Sequence, residues 1–145
     1  MTDESYKDWE KSIENSKNFN NGLLQDFEKW LKDKNLKPKT ISSHVGNIDF
    51  YINNFLLRYD IIPAEKGALE IGSFLGDYFI RKTSWASKYT IQENIASFKK
   101  FYTYLNENKK VSDDELKEMK ELIKDEKQYW IENVDDYWNN IDLDW

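Results

Sequence analysis

The stretch LKPKTISSHVGNIDFYINNF, residues 36–55, decides the fold class, because it combines a helix start with a helical apolar stripe. Pro38 suits the first turn of a helix, where its missing N–H is not needed. The apolar positions that follow recur at intervals of four, three, four and three residues and share one face of an α-helix. They are Ile41, Val45, Ile48, Ile52 and Phe55.

The same pattern returns 50 residues later, where Thr90-Ile91 repeats Thr40-Ile41 and Ser87 offers a helix cap. The apolar positions there are Ile95, Phe98, Phe101, Tyr102 and Leu105. Two copies are too few for a solenoid. Two amphipathic helices of one bundle also share a period for trivial reasons, so periodicity alone does not decide between a repeat and a bundle.

Further helices are predicted on both sides of these two. A short helix over 3–17, with Tyr6, Trp9 and Ile13 on one face, is expected to lie on the bundle. Turn residues at 18–22 predict a break, and a new helix should start near Asn20 or Asn21 and stop around Asn35.

A helix with Phe74, Leu75, Tyr78 and Phe79 should end at Arg81-Lys82. Ser112-Asp-Asp-Glu115 is a capping box for a long helix reaching Trp138. The aromatic residues of the tail, which include Trp138 and Trp145, favour docking on the chain's own bundle or on a partner.

Composition narrows the class of protein. The 145 residues contain no Cys, which excludes disulfides and a Cys nucleophile. No apolar run approaches the ~18 residues of a membrane span, and the polar N-terminus does not resemble a secretory signal. The chain is therefore expected to be cytoplasmic, without a membrane partner.

The net charge of −6 is unevenly spread. Residues 21–111 hold 14 Lys and Arg against 10 acids, whereas residues 112–145 hold 12 acids against 4 Lys. Five lysines gather where the second predicted helix ends and the next begins: Lys29, Lys32, Lys34, Lys37 and Lys39. Lysines at a helix C-terminus also complement the helix dipole, so this cluster fits a solvated helix end as well as a phosphate site.

The segments FEKWLKDKNLKPKTISSHVGNIDFYINNFL and FLGDYFIRKTSWASKYTIQENIASFKKFYTYL carry a further signal. They resemble the SAM-like core-binding domain of the phage-integrase (tyrosine recombinase) family. The resemblance rests on the helix ends, the basic turn with Leu36, the Thr that opens each long helix, and the F-x-x-Y-L ending. The resemblance covers roughly residues 22–108.

This resemblance implies an all-α fold: a four-helix SAM-like bundle of two helical hairpins, with an extra helix at each end. The implied organisation is an appendage helix over 1–20, a core-binding domain over 21–111, and an acidic helix and tail over 112–145. The expected core is Leu24, Phe27, Leu31, Ile41, Val45, Ile48, Ile52, Phe74, Tyr78, Ile91, Ile95, Phe98 and Tyr102.

The family's catalytic residues are missing. Tyrosine recombinases hold the scissile phosphate with an Arg and a His-x-x-Arg in a second domain, before a late Tyr nucleophile. This chain has only Arg58, Arg81 and His44, and His44 is followed by Val-Gly-Asn. One His and no Cys leave only carboxylate metal sites, and no calcium-loop, phosphate-loop or nucleophile-elbow motif is present. No enzymatic activity, cofactor or metal is therefore predicted.

The resemblance implies a non-catalytic module for double-stranded DNA. Residues carried over by position would contact phosphates through lysines and helix N-termini, and bases through hydroxyl and amide groups. They are Lys37, Lys39, Thr40, Ser43, His44, Asn47, Ser87, Lys88, Thr90, Lys99 and Lys100.

Two alternatives stay open. The chain could be an interaction module that pairs with a full-length recombinase or with itself, and its acidic C-terminal helix would then cover the basic face. It could also be a helical bundle with no nucleic-acid role, which the overall acidity and the scarcity of Arg favour, since fold does not fix function.

Overall fold

A computed structural model describes residues 2–143 and the side chains of residues 2–140. Within that range the chain is helical and has no β-strand, which confirms the all-α class. The α-helices are α1 (Asp3–Asp33), α2 (Pro38–Phe50), α3 (Ile71–Ser73), α4 (Phe79–Lys82), α5 (Lys88–Glu107) and α6 (Asp113–Leu143). A π-helical segment, Tyr51–Phe55, continues α2, and a second, Phe74–Tyr78, joins α3 to α4, so five continuous helices result.

The chain divides into two compact units, of which the first runs to Gly67 and the second begins at Ala68. This boundary lies between the π-helical segment Tyr51–Phe55 and α3, directly after the short 3₁₀ turn Ala64–Lys66. The first unit is a hairpin of α1 and α2. The second contains α3, α4, α5 and α6.

Helix α1 is longer than the sequence indicates. The expected break at residues 18–22 is wrong, because one helix of 31 residues runs through it. Asn and Gly disfavour a helix interior by about 1 kcal/mol or less each, and tertiary contacts override that here. Asn20, the expected cap, is buried, and its Nδ2 donates to the Ile52 carbonyl (3.2 Å) and to Asn53 Oδ1 (2.9 Å).

The N-terminal part of α1 does not lie on a bundle, contrary to expectation. None of residues 2–19 is buried, and Tyr6 and Trp9 are 50% and 37% exposed. The helix is started by Thr2, whose Oγ1 accepts from the Ser5 N–H at 3.1 Å. Its first turn carries Asp3 and Glu4, which suit the positive end of the helix dipole.

Helix α2 begins at Pro38 as predicted, but its buried face contains His44 in place of Val45. Ile41, His44 and Ile48 are buried, whereas Val45 is only half-buried. The expectation that Val45 belongs to the core is therefore wrong, and His44, a predicted DNA contact, takes a buried position instead. Ile41, His44 and Ile48 are spaced three and four apart, as one helical face requires, and the fully buried Tyr51 and Phe55 extend the same face.

In the second unit, α6 is a full member of the core. Met119, Ile123, Trp130 and Val134 are all at most 2% exposed, so the acidic helix supplies one apolar face to this unit. Its start is as predicted, since Ser112 Oγ accepts from the Glu115 N–H at 3.1 Å.

The π-helical segment between α3 and α4 changes the register of the core. Its closing bond runs from the Phe79 N–H to the Phe74 carbonyl, five residues back. The wider turn places Leu75 and Phe79 in the interior and leaves Tyr78 half-buried, so the expectation that Tyr78 is a core residue is wrong. The other expected core positions, apart from Val45 and Tyr78, are buried.

Candidate nucleic-acid interface

The connection between α1 and α2 carries the densest positive charge in the described chain. The basic turn consists of Lys29, Lys32, Lys34, Lys37 and Lys39, with one acid, Asp33, among them. All five lysines are exposed. Asn35, at φ 61°, takes the left-handed conformation that reverses the chain after α1. The turn thus brings lysines from a helix C-terminus and from the next helix N-terminus to one end of a hairpin.

Two of the five lysines, Lys32 and Lys34, each lie close to a side chain of α1. Lys32 Nζ lies 3.7 Å from a Glu28 carboxylate oxygen, an exposed pair worth little in water. Lys34 Nζ lies 4.9 Å from the centre of the Trp30 ring, an arrangement that attracts the ammonium group to the aromatic face. Neither contact neutralises the turn, whose net charge is +4 over residues 29–39.

The first turn of α2 suits an anion. Lys37, its N-cap, makes no side-chain cap hydrogen bond, and no acid lies in the first turn. Free N–H groups at a helix start attract negative charge. Lys37 and Lys39 flank this start and are exposed.

Farther along α2, Lys39, Thr40, Ser43 and Asn47 share one face, because their angular positions on the helix lie within about 100°. Lys39, Thr40 and Ser43 are exposed and Asn47 is half-buried. His44 is only 8% exposed and lies on the apolar face. The structure therefore groups Lys37, Lys39, Thr40, Ser43 and Asn47, and separates His44 from them.

A groove of about 630 Å³ adjoins the basic turn. Lys32, Asn35 and Glu28 line its polar part, and the half-buried Val45 lines its apolar part. Ser42 also lines the groove and lies on roughly the opposite side of α2 from Asn47. This groove explains why Val45 keeps some exposure despite its place in the apolar period.

The five other candidates lie on α5 or at its N-cap, in the second unit. Ser87 and Thr90 form a reciprocal capping box, in which Ser87 Oγ accepts from the Thr90 N–H at 3.2 Å and Thr90 Oγ1 accepts from the Ser87 N–H at 2.8 Å. Thr90 Oγ1 also donates to backbone carbonyls nearby, including that of Trp85. Both hydroxyls are thus engaged in starting the helix, as the predicted cap at Ser87 requires.

Two of the three lysines of α5 are exposed. Lys88 and Lys99 are eleven residues apart, which places them on nearly the same face, and both are exposed. Lys100 is half-buried. Ser97, two residues before Lys99, is buried, and its hydroxyl donates to the Glu93 carbonyl oxygen at 3.1 Å.

Two aromatic residues beside Lys88 were missed as candidates. Trp85 and Tyr89 are 59% and 69% exposed, and Lys88 Nζ lies 5.5 Å from the Tyr89 ring centre. A sequence signal existed, because a Trp in a polar turn and a Tyr at the second position of a helix both lie off the apolar stripe of α5. Exposed aromatic rings next to basic residues are typical of surfaces on which unpaired bases stack.

The acidic helix meets this same region. The Trp138 indole N–H donates to the Ala86 carbonyl oxygen at 2.9 Å, one residue before the Ser87 cap. The prediction that the tail's aromatic residues dock on the chain itself is therefore confirmed for Trp138, whereas Trp145 and the Leu143 side chain lie outside the described residues.

Among residues 2–140, no group of three or more His, Asp or Glu side chains is placed to hold a metal ion. None of the described helices combines the length and apolar character that crossing a membrane requires.

Comparison with known proteins gives no family assignment. No family model, no curated protein and no solved structure matches this chain.

Proposed function

We propose that this chain is a non-catalytic DNA-binding module, with the SAM-like helical arrangement of the tyrosine-recombinase core-binding domain. The observation that carries the proposal is the basic turn, where five exposed lysines surround a helix start that has no acid and no side-chain cap. Lysines neutralise backbone phosphates, and free N–H groups at a helix start bind them.

In this mechanism the lysines of the basic turn bind phosphates of a duplex and place α2 against it. Thr40 and Ser43 are the exposed hydrogen-bonding groups next in line on α2. On α5, Lys88 and Lys99 contribute charge, while Ser87 and Thr90 hold the helix start that Lys88 occupies. Contacts of this kind position a protein on DNA and carry little sequence information, so binding should be tolerant of sequence. No catalytic step is part of the proposal.

A fluorescence-anisotropy titration of a random duplex of about 30 base pairs tests this, because phosphate binding by Z cations gives a logarithmic salt slope of about −0.9Z. Binding that weakens steeply between low and moderate salt supports the proposal. Absence of binding at low salt by folded protein, or an affinity independent of salt, contradicts it.

A second candidate function is an interaction module in which α6 regulates access to α5. The Trp138–Ala86 hydrogen bond favours it, because it holds the acidic helix beside the turn that carries Trp85, Ser87 and Lys88. Residues 112–145 carry 12 acids and 4 lysines. In this reading α6 competes with DNA phosphates for the lysines of α5, and a partner that binds α6, such as a recombinase, would release them.

A further inference from the structure

The first half of α1 carries an apolar stripe that the described part of the chain leaves exposed or at most half-buried. From Tyr6 onward, residues on one face recur at alternating intervals of three and four: Tyr6, Trp9, Ile13, Ser16, Asn20, Leu23 and Phe27. This is the spacing of a coiled-coil seam. From Asn20 on, the stripe is buried against the first unit, whereas none of residues 2–19 is buried.

A helix of this kind needs a covering surface. Most of a helix's stability in proteins comes from packing an apolar face, and residues 3–19 bury none of their side chains in the described chain. Tyr6 and Trp9 lie side by side on this face, with ring centres 6.0 Å apart. They form a preassembled aromatic surface continuous with the buried seam of the same helix.

We propose that residues 3–19 of α1 pair with the same segment of a second copy of this chain, as an antiparallel two-helix coiled coil. In the register that aligns the two segments fully, Tyr6 packs against Ser16 of the second copy and Trp9 packs against Ile13 of the second copy. Each layer then joins a larger side chain to a smaller one. A parallel pair would instead stack Trp9 on Trp9 and Ser16 on Ser16, and would match volumes poorly.

Charge favours the same register. Asp3, Glu10 and Lys17 are seven residues apart and flank the seam on one side. In the antiparallel pair, Asp3 faces Lys17 of the second copy, and the symmetric contact occurs at the other end. Glu10 faces Glu10 of the second copy at the two-fold axis. Two attractive contacts and one repulsive contact thus flank the seam, and a parallel pair offers neither attractive contact.

The segment is short, so the dimer should be weak, with a Kd on the order of 10–100 µM, as expected for small interfaces. Sedimentation equilibrium of the full chain over a range that spans this Kd measures it. Trp9→Ala should raise the Kd more than tenfold. Tyr59→Ala is the matched control, because Tyr59 is 78% exposed and lies outside the stripe, and it should leave the Kd unchanged.

Charge reversal tests the register and does not depend on the Trp9 variant. Asp3→Lys and Lys17→Glu should each weaken the dimer, because each places like charges at both ends. The double variant should recover most of the lost affinity, since its ends are again complementary, and Glu10→Gln should strengthen the dimer by removing the central repulsion. Circular dichroism confirms that α1 stays helical in each variant. A monomer at every concentration, or a double variant no tighter than its weaker single variant, would overturn the proposal.

Discussion

The indole of Trp138, near the end of the acidic helix, donates a hydrogen bond of 2.9 Å to the carbonyl oxygen of Ala86, in the turn before α5. This contact joins the most acidic segment of the chain to the turn that carries Ser87 and Lys88. Helix α6 also buries Met119 and Trp130 completely. It is therefore structural and adjacent to a candidate interface at once, and its deletion would expose the core of the second unit. Its influence on binding must be tested by substitution.

Neutralising the acids next to Trp138 should raise DNA affinity if α6 competes for the lysines of α5. Asp135 and Asp136 are exposed and lie within one turn of Trp138. Asp135→Asn with Asp136→Asn should tighten duplex binding by about three- to tenfold at low salt, where charge interactions are least screened. Anisotropy titration measures this.

The matched control for that pair is Glu118→Gln with Glu121→Gln, which removes the same charge from exposed positions far from Trp138 on the same helix. Equal gains from both pairs would show that only net charge matters, and would contradict shielding by the end of α6.

Asn20 should stabilise the first unit from inside α1. Its Nδ2 donates to the Ile52 carbonyl and to Asn53 Oδ1, and its truncation to Ala removes both hydrogen bonds. Asn20→Ala should lower the free energy of unfolding by about 1–3 kcal/mol. The neighbouring Asn21 is exposed, so Asn21→Ala should be neutral or slightly stabilising. Urea denaturation followed by circular dichroism compares them, and equal effects would contradict the role given to Asn20.

Gly76 should be required by the close approach of α6. A Cβ built there would lie 3.0 Å from Trp130 Cδ1, and Trp130 is fully buried. Gly76→Ala should therefore destabilise the fold by about 1–3 kcal/mol. Gly46 has no atom within 4 Å of its ideal Cβ position, so Gly46→Ala should stabilise α2 by about 0.5–1 kcal/mol. Thermal melts read both effects, and a stabilising Gly76→Ala would show that the Trp130 contact can relax.

Tyr102 should give the fold an alkaline limit. Burial raises the pKa of Tyr102 well above its usual value, because the charged phenolate would lose its hydration. Since the folded state holds this proton more tightly than the unfolded state, stability is unaffected below the ordinary tyrosine pKa of about 10 and falls as the pH rises above it. Tyr102→Phe should flatten the decline of unfolding free energy above about pH 10. An unchanged slope would contradict this assignment.

The sequence predicted those features that local patterns determine. Pro38 and Ser87 start their helices, and Ser112 starts α6, because caps and proline act within one turn. The predictions from sequence were wrong where contacts between distant residues determine the structure. Asn20 reads as a cap until its partners 32 and 33 residues away are known. Tyr78 was predicted as a core residue because the sequence does not show that the π-helical turn shifts the register. His44 is buried in place of Val45 because the sequence does not show which face of α2 packs against α1.

In the candidate site, too, some features follow from local sequence patterns and others depend on contacts between distant residues. Exposure of Lys37, Lys39, Lys88 and Lys99 follows from their distance from the apolar stripes. The roles of Ser87 and Thr90 as a reciprocal cap, and the place of Trp138 against Ala86, depend on geometry that spacing does not contain. The affinity for DNA stays a prediction.

The most direct test of the central claim compares two triple variants with equal loss of charge. The first variant changes the basic turn by Lys34→Gln, Lys37→Gln and Lys39→Gln. The second removes exposed lysines of α6 by Lys117→Gln, Lys120→Gln and Lys124→Gln. Duplex binding should weaken at least tenfold for the first variant, and its logarithmic salt slope should fall by about one per lost phosphate contact. The second variant should bind nearly as the unchanged chain does. Equal losses in both variants, or an unchanged salt slope in the first, would contradict a DNA interface at the basic turn.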